Sequence, residues 1–168
     1  MEARKLADSP PLPFMLALRI RHPSMDPAEL SRDFKIKAQH SFRAGDPRSG
    51  RARSAGASVY SESYWLGALT PAGWPLELEV AGHAQLSGAL ERLRVAATQS
   101  LGGALFLTVT RFFKMHGERL RGIRAGGGEI TLLVTLSTDE LRSFTLAPEV
   151  SRVLSELGIA VEVEFASD

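Results

Sequence analysis

The stretch PEVSRVLSELGIAVEVEF, residues 148–165, decides most of the architecture. Val150, Val153, Leu154 and Leu157 fall at i, i+3, i+4 and i+7, so they line one face of a helix that Pro148 opens and Gly158 stops. The period then changes. Ile159, Val161, Val163 and Phe165 alternate with Ala160, Glu162 and Glu164, which is the pattern of a half-buried strand. A helix and a strand this close, each with one apolar face, bury those faces together, which points to helices packed on a sheet.

The same two periods recur toward the N-terminus. Phe14, Leu16, Leu18 and Ile20 alternate with Arg19 and Arg21, giving a strand over residues 13–21. Met25-Asp26-Pro27-Ala28-Glu29-Leu30 then reads as a helix start. Asp26 caps, Pro27 takes the first helical position, Glu29 stands three after the cap, and Met25 and Leu30 are placed for a hydrophobic staple. Leu30 and Phe34 form the core-facing pair of this short helix. Residues 35–57 read as a long polar loop with a brief strand at His40–Arg43. Val59–Leu66 alternates again, with Tyr60, Tyr64 and Leu66 on one face and Val59 and Trp65 on the other. Leu76, Leu78 and Val80 suggest a further short strand.

His83–Leu101 is expected to be the longest helix, on the spacing of Leu86, Leu90, Leu93, Ala97 and Leu101, with Gly102-Gly103 ending it. Ala104–Phe113 is apolar on both faces, the signature of a central strand, with Ile130–Leu136 as its pairing partner. A basic, glycine-rich connection, Lys114–Gly128, is expected to join the two. The order β-α-(β)-β-α-β-β-α-β gives an α+β domain. Its expected form is one mostly antiparallel or mixed sheet of about five strands, with two to three helices mainly on one face, in the style of a ferredoxin-like sandwich. Residues 1–12 read as a mobile leader and 13–168 as a single domain, a length that buries about 70% of the surface exposed on unfolding.

Composition narrows function mainly by exclusion. Twenty Lys and Arg against 19 Asp and Glu leave a net charge of +1, so no global field draws nucleic acid or an anionic membrane. The chain has no cysteine, which removes disulfides, thiol nucleophiles and thiolate metal sites and fits a reducing cytoplasm. No window approaches 18 consecutive apolar residues, and no secretory h-region precedes the first strand. The expectation is an intracellular, cytoplasmic chain without metal or cofactor.

No nucleophile elbow occurs, and the four histidines His22, His40, His83 and His116 form no i,i+4 metal pair. Glu77 with Glu79 and Glu162 with Glu164 share strand faces, so each pair is readable as a like-charge dyad or cation site, but the apolar residues between them favour the solvated face of an amphipathic strand. Gly126-Gly127-Gly128 lacks the ending of a phosphate loop and instead suits a turn needing positive φ.

Arginine in connecting segments is the strongest functional signal. Arg43, Arg48, Arg51 and Arg53 crowd one segment, and Arg111, Lys114, Arg119, Arg121 and Arg124 another. Such forks suit carboxylate or phosphate groups. The partner they imply is an acidic protein or a small anion. Sequence-specific nucleic acid is disfavoured, since no helix carries a basic stripe to enter a groove. The plain alternative is solvated surface, with Asp46 and Glu118 set among the cations. Two functions follow: a non-enzymatic protein-interaction module, or a small anionic-ligand binder or modest enzyme sited near Arg43, Asp46 and Trp65. Gly45-Asp46-Pro47 is also readable as an ordinary turn.

Several segments in order resemble a bacterial family known as domain of unknown function 4279. They are Asp26-Pro27-Ala28-Glu29-Leu30 after the first strand, Ser41-Phe42-Arg43-Ala44-Gly45-Asp46-Pro47, and the strand ending Tyr64-Trp65. Near the end come Phe144-Thr145-Leu146-Ala147-Pro148-Glu149-Val150 and Val161-Glu162-Val163-Glu164-Phe165. Together they span most of residues 14–165. Two departures are the inserted Ser137–Ser143 and an enlarged Lys114–Gly128. The resemblance implies an α+β sandwich and supplies no catalytic residues. Domains of this size and style are similar to bacterial immunity proteins that block toxins, an analogy at the level of fold.

Overall fold

A computed structural model describes residues 14–48, 58–69, 100–137 and 145–166. Among them, the chain forms five strands and four helices. β1 is Phe14–His22, α1 Pro27–Phe34, β2 Ala38–Phe42 and β3 Ser63–Ala68. α2 is Leu101–Leu107, continued as a π-helical segment Thr108–Phe113, and α3 is Gly117–Ala125. β4 is Glu129–Ser137, α4 Pro148–Glu156 and β5 Ile159–Ala166. The leader, the Leu76–Val80 strand, the His83 helix up to residue 99, Glu77, Glu79, Arg51, Arg53 and most of the Ser137–Ser143 insertion lie outside the described residues.

One open sheet has the order β2-β3-β1-β4-β5. β1 pairs antiparallel with both β3 and β4, β2 pairs antiparallel with β3, and β5 runs parallel to β4. In the first four strands, β3 lies between β1 and β2, and β1 between β3 and β4. This is the doubled split β-α-β plan of ferredoxin-like sandwiches, and the α4–β5 unit extends it at one edge. The domain is thus an α+β sheet with helices packed against it. Phe14, Leu16, Leu18 and Ile20 of β1 stand in register with Leu136, Val134, Leu132 and Ile130 of β4. Together with Trp65 and Ile159 they form the floor of one core, roofed by Leu30, Phe34, Leu105, Val109, Phe113, Leu120, Val150 and Leu154.

The first helix forms as its sequence requires. Asp26 accepts a hydrogen bond from the amide of Ala28 (2.9 Å), Pro27 holds the first position, and Met25 and Leu30 are both buried across the cap. At the other end Lys35 takes φ 54°, and the amide of Ile36 closes onto the carbonyl of Ser31. The closing unit also forms as read: α4 opens at Pro148, Gly158 turns the chain at φ 63°, and β5 follows at once.

The middle of the chain differs from the expectation. Ala104–Phe113 is helical, so Ile130–Leu136 pairs with β1 and β5 instead. The buried positions Leu101, Ala104, Leu105, Thr108, Val109, Phe112 and Phe113 repeat at helical spacing. Phe106 and Leu107 add apolar side chains outside that stripe, so the run is apolar at both strand parities and its helical period is masked. Gly102-Gly103 lies in the first turn of α2, where Ser100 Oγ accepts from the amide of Gly103 (3.1 Å), rather than at the end of a helix. Lys114–Gly128 is mostly α3 rather than a loop. Only its end, with Gly127 at φ 84°, is the expected glycine turn. The widened π turn has a local cause. Thr108 and Thr110 each donate a hydroxyl hydrogen bond (2.8 Å) to the carbonyl four residues back, in competition with the helix's own amides.

Candidate functional site

Arg43 follows the last residue of β2, and its guanidinium grips the Asp26 carboxylate, with Nε 3.1 Å from Oδ1 and Nη2 on Oδ2. Its own amide donates to Asp46 Oδ2 at 2.9 Å. Asp26 therefore caps α1 and anchors the β2 end simultaneously, and the Arg43 contact holds its carboxyl below the usual carboxylate range. Gly45, at φ 87°, makes the turn between these residues.

Trp65 lies apart from this pair. It is fully buried, its indole N–H donates to Ser31 Oγ at 3.0 Å, and its ring meets Phe34 edge-on. Gly67 leaves room for the indole, since a Cβ there would stand 2.3 Å from Trp65 Cη2. The fold does not bring Trp65 to the surface that carries Arg43 and Asp46. The tryptophan is core, and the arginine is spent on Asp26.

Arg48 lies over the Tyr60 ring, 5.3 Å from its centroid. Tyr60 stacks on Phe42 at 3.7 Å, Phe42 on Tyr64 at 5.1 Å, and His40 meets Tyr64 edge-on. Neighbouring rings cover one another's faces in this column, which ties the two strands together on the side away from the helices.

The second basic group divides by partner. Arg119 spans to α1, with Nε 2.8 Å from Asp33 Oδ2 and Nη2 3.6 Å from Glu29 Oε2. Arg124 donates from Nη1 to the carbonyl of Gly128 at 3.0 Å and closes the α3 turn. Arg111 is half-buried in the π-helical segment. Lys114 and Arg121, by contrast, line a cleft of ≈ 590 Å³ between the start of α3 and α4, and Arg152 joins them from α4. None of these three cations makes an ion pair within the described residues.

Phe113, Val153 and Leu157 supply the apolar part of the cleft wall, and Glu118 and Glu156 its two carboxylates. Met115, 74% exposed, stands among the lining residues. Gly117 stands at the helix start, with space beside it for a side-chain carbon. A Cβ there would meet Arg121 Nη1 at 3.7 Å and Leu157 Cδ2 at 3.9 Å. The arrangement suits a carboxylate-bearing ligand that also has an apolar portion, received by guanidinium forks.

Arg152 was not marked by the sequence. It sits between Glu149 and Glu156 on the polar side of α4, where nothing separates a ligand contact from a solvated residue. Among the described residues, no group of three or more His, Cys, Asp or Glu could hold a metal ion. No helix there is long and apolar enough to cross a membrane. No family model, curated protein or solved structure matches the chain.

Proposed function

We propose that this chain is a non-enzymatic interaction module that receives an acidic segment of a partner protein between α3 and α4. The supporting observation is the convergence of Lys114, Arg121 and Arg152 on one cleft, with no ion pair to neutralise them among the described residues and with Met115 exposed beside them. Arg and Met are enriched at protein interfaces, and an unpaired arginine beside an apolar wall is a usual anchor for a partner carboxylate. An immunity-like role, with a toxin as the acidic partner, extends this reading by analogy of size and fold style alone.

Pull-down with the intact chain, followed by mass spectrometry, tests the proposal. An acidic protein is expected at low salt, weakening as salt rises. It is expected to be lost from the Arg121→Glu, Arg152→Glu double variant, whose substitutions lie on exposed helix positions. Recovery of the same proteins by both chains, or of none at any salt, overturns it. The cleft volume also lies within the range of small-molecule sites. That second reading wins if a small polycarboxylate such as citrate binds the wild type and not the double variant, while no protein is retained.

A further inference from the structure

The two rims of the sheet differ in how open they are to another strand. β2 is five residues long and irregular in register between Ala38 and His40. Short, irregular edges resist strand addition. β5 has eight residues and keeps unbroken register with β4, from Ile130↔Ile159 to Ser137↔Ala166. It contains no proline, and among the described residues no strand pairs with its outer edge. Its amides and carbonyls on that side are a template for one more strand.

The side chains of β5 state what that strand must carry. Val161 and Val163 are partly buried on the helix side, and Phe165 on the same face is 64% exposed. On the other face Glu162 is ion-paired with Arg19, whereas Glu164 is exposed and has no ion pair among the described residues. A second copy of the chain adding antiparallel through β5 would bring the Glu162 and Glu164 residues of both copies onto one face. Like charges across a strand pair are destabilising. Glu164, whose charge has no ion pair among the described residues, therefore opposes self-addition and favours a cationic strand.

We propose that the β5 edge accepts an extended segment of a partner protein in which apolar residues alternate with lysine or arginine. The apolar residues lie beside Val163 and Phe165, and a cation lies beside Glu164. Main-chain hydrogen bonds supply affinity and the alternate side chains supply selection, as in other cases of strand addition.

The probe is a labelled, capped seven-residue peptide alternating valine and lysine, titrated with the full chain and read by fluorescence anisotropy. Saturable binding is expected. The valine–glutamate counterpart, and the lysine peptide N-methylated at alternate amides, are each expected to bind about tenfold more weakly or worse. Glu164→Lys, at an exposed position, is expected to reverse the preference between the lysine and glutamate peptides. The proposal is overturned if the N-methylated peptide binds as well as its parent, if Glu164→Lys leaves the preference unchanged, or if nothing binds at millimolar peptide. A dimer in sedimentation velocity that the peptide dissociates would make a second copy the occupant, and would overturn it too.

Discussion

Asp26 shows how one side chain carries several structural duties. Its carboxylate caps α1, holds Arg43 and so links the helix start to the end of β2. His116 is a second case, packed between Phe34 (ring centroids 5.0 Å apart) and Phe112 (4.7 Å apart). Burial pushes its pKa below the ordinary 6.5, with Asp33 opposing and Lys35 reinforcing the shift. The folded state then binds the proton less readily than the unfolded state. The stabilisation is complete above pH 6.5 and is lost as pH falls through that value toward the folded pKa. Chemical denaturation across pH 5–8 is expected to show this decline, and His116→Phe to flatten it; an unchanged slope would contradict it. Glycines give a matched pair. At Gly128 an added Cβ would stand 2.8 Å from the carbonyl oxygen of Ile123, whereas at Gly102 it meets nothing within 4 Å. Thermal melts are expected to show Gly128→Ala destabilising by about 1–3 kcal/mol and Gly102→Ala stabilising by about 0.5 kcal/mol.

At the scale of elements, α2 and its π-helical continuation separate two readings of one apolar run. A strand would place Phe106 and Phe112 on the same face. The helix leaves Phe106 46% exposed and Phe112 7% exposed. Phe112→Ala is expected to cost about 3–5 kcal/mol in denaturant unfolding and Phe106→Ala less than about 1 kcal/mol. Equal costs would restore the strand. The elements legible in the sequence were those with a clean period and a punctuated end: β1, α1 with its Asp26-Pro27 start, and α4–β5 around Gly158. Where apolar residues filled both faces, as at Leu105-Phe106-Leu107, period carried little information. Gly102-Gly103 then misled, because glycine sits in a first turn capped by Ser100 as readily as it ends a helix.

In the whole molecule, the described cations of the arginine-rich segments include some with partners inside the fold and some that face a cleft. Arg43 and Arg119 pair with Asp26, Glu29 and Asp33 of the α1 region, and Arg124 closes a turn, so these cations already have partners within the fold. Lys114 and Arg121 face the cleft, and they gain Arg152 from a helix 31 residues further on than Arg121. Residue type and crowding indicated cations without showing which had carboxylates waiting in the fold, because those partners lie far off in sequence. The same limit applies to Trp65: its aromatic character suits a ligand, and the Phe34 and Ser31 that bury it lie about 30 residues away in sequence. The cleft between α3 and α4 is proposed to receive an acidic segment of a partner. The most direct measurement is amide chemical-shift mapping of the full chain during titration with a short peptide of glutamates flanking a leucine. Saturable shifts are expected, concentrated in residues 113–121 and 152–157 and absent from the Arg121→Glu, Arg152→Glu variant. Shifts centred instead on Arg43 and Asp46, or none at millimolar peptide, would contradict it.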